Sequence, residues 1–94
     1  MKIKVRGYLI YKESIGRQVL DLGDADSITL RELLLRLPTG SGLGEALQRA
    51  EGGQLGPGLV LLVNGQHHSH LPGRLDASLR DGDEVAIFPP LAGG

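Results

Sequence analysis

With 10 basic and 11 acidic side chains among 94 residues, net charge −1, the chain carries no overall field that would gather nucleic acid or an anionic membrane. A hydrophobic content of 40% suffices for one small core, and 3% aromatic residues make that core aliphatic, with little margin of stability. Cysteine is absent, which excludes disulfides, thiolate zinc sites, iron–sulfur ligation and thiol nucleophiles together.

The chain opens on charged alternation rather than a signal-peptide apolar region, and no apolar run is long enough to span a bilayer, so a soluble cytoplasmic domain is expected. From Lys2 to Leu9 the period is two, which predicts a first strand with Ile3, Val5 and Leu9 on one face and Lys2, Lys4 and Arg6 on the other. The basic face reads as a solvated strand surface, with steering of an acidic partner as the alternative. Glu13 to Gly16 supplies a turn, and Arg17 to Leu22 returns as a second strand with Leu20 and Leu22 sharing a face.

The clearest local signal follows a polar loop over Gly23 to Ser27. Thr29 and Glu32 have capping-box spacing and Ile28 with Leu33 has hydrophobic-staple spacing, so a helix begins at Thr29. Leu30, Leu33, Leu34 and Leu37 form its core stripe, and Pro38 ends it. From Thr39 to Gly58 the sequence is glycine-rich, with a short helical candidate over Leu43 to Ala50 and a flexible loop after it. Gly40, Gly42 and Gly44 do not make a phosphate loop, because no Gly-Lys-Ser/Thr follows them.

Leu59 to Val63 is apolar on both faces and reads as a central strand, closed by the Asn64-Gly65 turn. Gln66 to Leu71 is a candidate edge strand. Its His67-His68-Ser69-His70 invites a zinc reading, but no cysteine or nearby carboxylate completes a ligand set before Asp76, so an exposed polar loop is expected instead. Asp81-Gly82-Asp83 turns into a last strand whose Val85 and Ile87 face inward, and this strand must pair near the first.

Pro89 and Pro90 stop that strand, since proline fixes φ and lacks an N–H. From Pro90 through Leu91, Ala92, Gly93 and Gly94 an extended tail reaches roughly 15 Å at about 3.3 Å per residue, enough to enter a partner's active site. Fraying of a chain end is the alternative, but it requires neither the proline pair nor the Leu-Ala before the glycines. The expected organisation is a domain over 1–89 and a flexible tail over 90–94.

The strand–strand–helix–strand–strand order resembles the α+β β-grasp, or ubiquitin-like, fold, a mixed sheet of four to five strands with one main helix on one face. Val63-Asn64-Gly65 and the run from Leu79 through Asp81-Gly82-Asp83 and Phe88-Pro89-Pro90-Leu91-Ala92-Gly93-Gly94 resemble the prokaryotic ubiquitin-like sulfur carriers, most closely the small subunits of molybdopterin synthase. Thr29-Leu30-Arg31-Glu32-Leu33-Leu34 adds weaker support, and together these motifs cover about half the chain. Gly7 to Lys12 lacks the family's Phe-Ala after the first strand, and 39–58 is unusually rich in glycine.

The resemblance implies that the Gly94 carboxylate, preceded by Gly93, is the reacting group. A ubiquitin-activating-like adenylyltransferase would join it to AMP from ATP, and a sulfur donor protein would displace AMP to leave a thiocarboxylate. The large subunit of molybdopterin synthase would consume that sulfur and hold the catalytic side chains. No cofactor is bound by the chain itself, ATP being used by the activating partner, and neither nucleic acid nor membrane is a partner. Strand matching places Val60, Leu62, Ala86 and Phe88 on the outer sheet face as a docking surface, continued by Pro89, Pro90, Leu91 and Ala92. The alternative is that the glycine-rich loop covers Leu62 and Phe88. Other destinations for the same chemistry are thiazole formation, tRNA thiolation, cysteine synthesis and conjugation to lysines. A β-grasp interaction module with an incidental glycine end is the rival of a different class.

Overall fold

The structure, a computed structural model, describes residues 1–9, 11–37 and 59–89. Its sheet is built from β1 (Lys2–Gly7), β2 (Arg17–Asp21), β4 (Val60–Val63), β5 (Gln66–His67) and β7 (Glu84–Phe88), in the order β2-β1-β7-β4-β5. β1 and β7 run parallel at the centre, and the other neighbours are antiparallel. A second ladder joins β3 (Ile28–Thr29) to β6 (Ser78–Leu79). Helix α1 (Tyr11–Ser14) interrupts the first hairpin and α2 (Leu30–Leu35) follows β3. This mixed sheet is the β-grasp arrangement.

One face of the sheet carries the core. Ile3, Val5, Leu61, Val63, Val85 and Ile87 all point into it from the three central strands, as period two requires, and Leu30, Leu33, Leu34 and Leu37 meet them from the α2 segment. Truncating any one of these leucines to alanine costs roughly 2–5 kcal/mol, a large part of a small domain's stability. The α2 start follows its capping signal: the Thr29 hydroxyl oxygen accepts from the Glu32 N–H at 3.1 Å, and the hydroxyl donates to the Glu32 carboxylate at 3.0 Å. The helix ends at Leu35 rather than running to Pro38. Arg36 and Leu37 donate to Leu33 and Leu34, three residues back, which tightens the last turn while keeping Leu37 in the core.

Three expectations are corrected. Leu9 is not on the core face: β1 stops at Gly7, and Leu9, at φ +56°, turns the chain out to start α1 and is 64% exposed. The position after Val5 on the inner face is Gly7, where a Cβ would strike the Tyr11 carbonyl and Ile15, so α1 can lie directly on the strand. The 66–71 edge strand is only two residues long, because His68–His70 and then Arg74–Asp76 form 3₁₀ turns. His68 is buried rather than part of an exposed loop. The helical candidate over 43–50 and the rest of 38–58 lie outside the described residues, as does the expected 90–94 tail.

Candidate functional site

The strand that precedes residues 90–94 is β7, and β7 is fixed by the loop before it. Asp81-Gly82-Asp83 turns at Gly82, φ +87°, and bonds in both directions across the sheet. Toward β1, Lys2 N–H donates to the Asp81 carboxylate at 2.7 Å, Gly82 N–H to the Lys2 carbonyl at 2.8 Å, and Lys4 N–H to the Asp83 carbonyl at 2.9 Å. Toward β4, the Asn64 side-chain amide donates to Asp83 at 3.0 Å and accepts from the Glu84 N–H at 2.9 Å. Asn64 and Gly65 both have positive φ, the hairpin turn their sequence encodes, and this aims the Asn64 amide at β7. The Asp-Gly-Asp and Asn-Gly motifs are thus two halves of one clamp that sets the register of the strand leading to the terminus.

On the outer face, Val60 lies opposite Phe88 and Leu62 opposite Ala86, and all four are half-buried. Sequence reasoning missed Tyr8, the next outward position after Lys2, Lys4 and Arg6, which period two would have found. Its ring stacks on Phe88 with centroids 4.4 Å apart and planes 6° from parallel, and its N–H donates to the Ile87 carbonyl at 2.9 Å. Pro89 follows and is buried, so the chain is held by packing up to the first proline. Pro90, Leu91, Ala92, Gly93 and Gly94 lie outside the described residues. The structure therefore brings Val60, Leu62, Ala86, Phe88 and Tyr8 together at the root of the tail.

Arg6 borders this apolar strip. Its side chain hydrogen-bonds to Tyr8 and sits 3.9 Å from the Glu84 carboxylate, both of which raise its pKa further above the ordinary guanidinium value. His67 opposes Leu62 at the other border and stacks on His68 at 4.6 Å. His67 Nδ1 is 2.8 Å from the Ser69 hydroxyl and accepts from the Ser69 N–H at 3.2 Å, so that nitrogen caps the 3₁₀ turn. Among the described residues no group of three His, Cys, Asp or Glu is placed to hold a metal ion. His68 has its pKa pushed below 6.5, first by burial and then by the neighbouring His67, while a backbone hydrogen bond with Leu61 opposes the shift.

A mixed β-grasp sheet with a motif-clamped central strand leading to Gly-Gly defines a class, the small ubiquitin-like carriers and modifiers. The sequence profile of the ThiS family matches residues 17–94, and the chain belongs to that family. It is 33% identical over 94 residues to small archaeal modifier protein 3 of Haloferax volcanii, covering all of both chains. With a protein of Archaeoglobus fulgidus assigned as a sulfur carrier it shares 38% identity over 96 aligned positions, again covering all of both. Among solved structures, the complex of subunits 1 and 2 of molybdopterin-converting factor from Helicobacter pylori contains a chain 26% identical, at TM-score 0.61 with full coverage of both. The chain is accordingly a sulfur carrier or ubiquitin-like modifier of this type. No helix among the described residues is long and apolar enough to cross a membrane.

Proposed function

We propose that the chain is a sulfur carrier serving as the small subunit of molybdopterin synthase, with Gly94 as the carried terminus. The observation that supports this most is the family match running through Gly93 and Gly94, behind a β7 whose register the Asp81–Asp83 clamp fixes. An α-carboxyl titrates at about 3.3–3.7, so the terminus is an ionised and poor electrophile at neutral pH. Attack of a Gly94 oxygen on the α-phosphorus of ATP, with pyrophosphate leaving, makes an acyl adenylate. A sulfide-level donor then adds to the carbonyl carbon, AMP leaves with the C–O electron pair, and a thiocarboxylate remains.

ATP belongs to the activating partner in this scheme, and the chain is a co-substrate rather than a catalyst. Gly93 and Gly94 lack a Cβ and suit a narrow channel, with Pro90, Leu91 and Ala92 as the extended spacer. The half-buried apolar strip of Val60, Leu62, Ala86 and Phe88 is, on this reading, the docking face for the activating enzyme and for the large synthase subunit. Full-length similarity to an archaeal modifier protein favours a second reading, in which a lysine amine instead of sulfur displaces AMP and an isopeptide forms.

Affinity purification from the host separates the two. The carrier reading expects the large synthase subunit to copurify and Leu62→Asp to lower its recovery at least about tenfold, the scale of a central apolar contact. A ladder of lysine-linked proteins without the synthase subunit would establish the modifier instead.

A further inference from the structure

Beside the tail root lies a groove of about 600 Å³, formed where α1 interrupts the first hairpin and lined by Arg6, Tyr8, Leu9, Lys12 and Arg17 together with Gly7 and Gly16. No described residue lining it is acidic. Arg6 and Arg17 are direct cross-strand partners in the β1–β2 ladder, and like charges so placed destabilise a sheet unless an anion lies between them. Arg6 has Glu84 at 3.9 Å, but among the described residues no carboxylate is within ion-pair distance of Arg17 or Lys12. On the rim, Leu9 is 64% exposed in a left-handed conformation that leucine seldom adopts, so an apolar group is held outward at a conformational cost. The Tyr8–Phe88 stack joins this rim to the apolar strip on the sheet.

We infer that this groove is a second docking site, for an acidic peptide segment that carries an apolar residue on the protein receiving the tail. Its carboxylates lie between Arg6, Arg17 and Lys12, the two guanidinium groups offering paired N–H donors, while its apolar residue packs on Leu9. The cationic groups alone would accept any anion; it is the exposed Leu9 that favours an acidic segment with an apolar residue over free phosphate, which has nothing to pack on it. The identification of the segment's owner rests on the carrier reading; the groove's chemistry does not. Docked there, the partner would take hold within a few residues of Pro89 and so guide the tail, with attraction steered by charge.

The test uses the full-length ¹⁵N-labelled protein titrated with a peptide of alternating Glu and Leu, its Gln-for-Glu counterpart, and inorganic phosphate. The acidic peptide should shift the amide signals of Gly7, Leu9, Lys12, Gly16 and Arg17, and the shifts should fade with added salt. Arg17→Glu should weaken that binding at least about tenfold, Lys12→Glu should do so in the same direction, and an unchanged spectrum elsewhere confirms that each variant folds. Equal shifts with the neutral peptide or with phosphate, shifts scattered over the sheet, or no shifts at all would overturn the inference. Since no ATP or sulfur enters this titration, such a failure leaves the carrier reading standing, and an unmodified tail would leave a positive titration standing.

Discussion

His68 is a polar side chain held inside an aliphatic core, under β4 and against the His67 ring, and it gives the protein a titration that folding opposes. The folded state keeps the imidazole neutral, with its pKa below the 6.5 of the free side chain. As pH falls below 6.5 the unfolded chain binds more protons than the folded one, so stability is full above that value and declines toward the depressed folded pKa. Thermal unfolding followed by circular dichroism should therefore show Tm falling from neutral to mildly acid pH. His68→Gln should lower Tm at neutral pH yet flatten the acid decline, and parallel profiles for the two proteins would remove His68 from the account. This role was not legible in the sequence: His-His-Ser-His reads as polar surface, and only the 3₁₀ turn rolls the middle ring inward. Tyr8, by contrast, stood in the outward register of β1 all along.

Among the elements, β7 depends most on side chains from elsewhere. Asp83 accepts from the Arg80 N–H at 2.8 Å and from the Asn64 amide at 3.0 Å, so Asp83→Ala leaves two donors to find water and should cost about 1–3 kcal/mol. Denaturant unfolding measures that loss, and a change within error would show the clamp to be dispensable. The strands of the central sheet were legible because alternation and the Asn-Gly and Asp-Gly turns state them locally, and the α2 start because its cap does. Helix α1 and the β3–β6 ladder were not. A single turn of helix and a two-residue strand have no period to detect, and α1 exists because Gly7 lets it rest on β1. The length of α2 was overread for a related reason, since Leu37 keeps the apolar period after the helix has tightened out of α geometry.

In the whole molecule, the parallel pairing of β1 with β7 puts the strand that leads to the terminus between two neighbours, so its end is held by ladders on both sides. That placement could be inferred from the sequence only by asking where a tail must emerge, because parallel pairing leaves no local mark. The candidate site was legible to the same extent: the outward positions of β4 and β7 followed from matching the strands to the ubiquitin-like pattern, since β4 is apolar on both faces, whereas the cationic groove at α1 depends on a helix the pattern did not announce. The proposed carriage of sulfur by Gly94 can be read by intact mass spectrometry after incubation with the host's adenylylating enzyme, ATP and a sulfur source. The expected result is replacement of one oxygen by one sulfur, located in the C-terminal peptide and absent when Gly94 is deleted. An unchanged mass, with the same enzyme shown to be competent on another carrier, would contradict it.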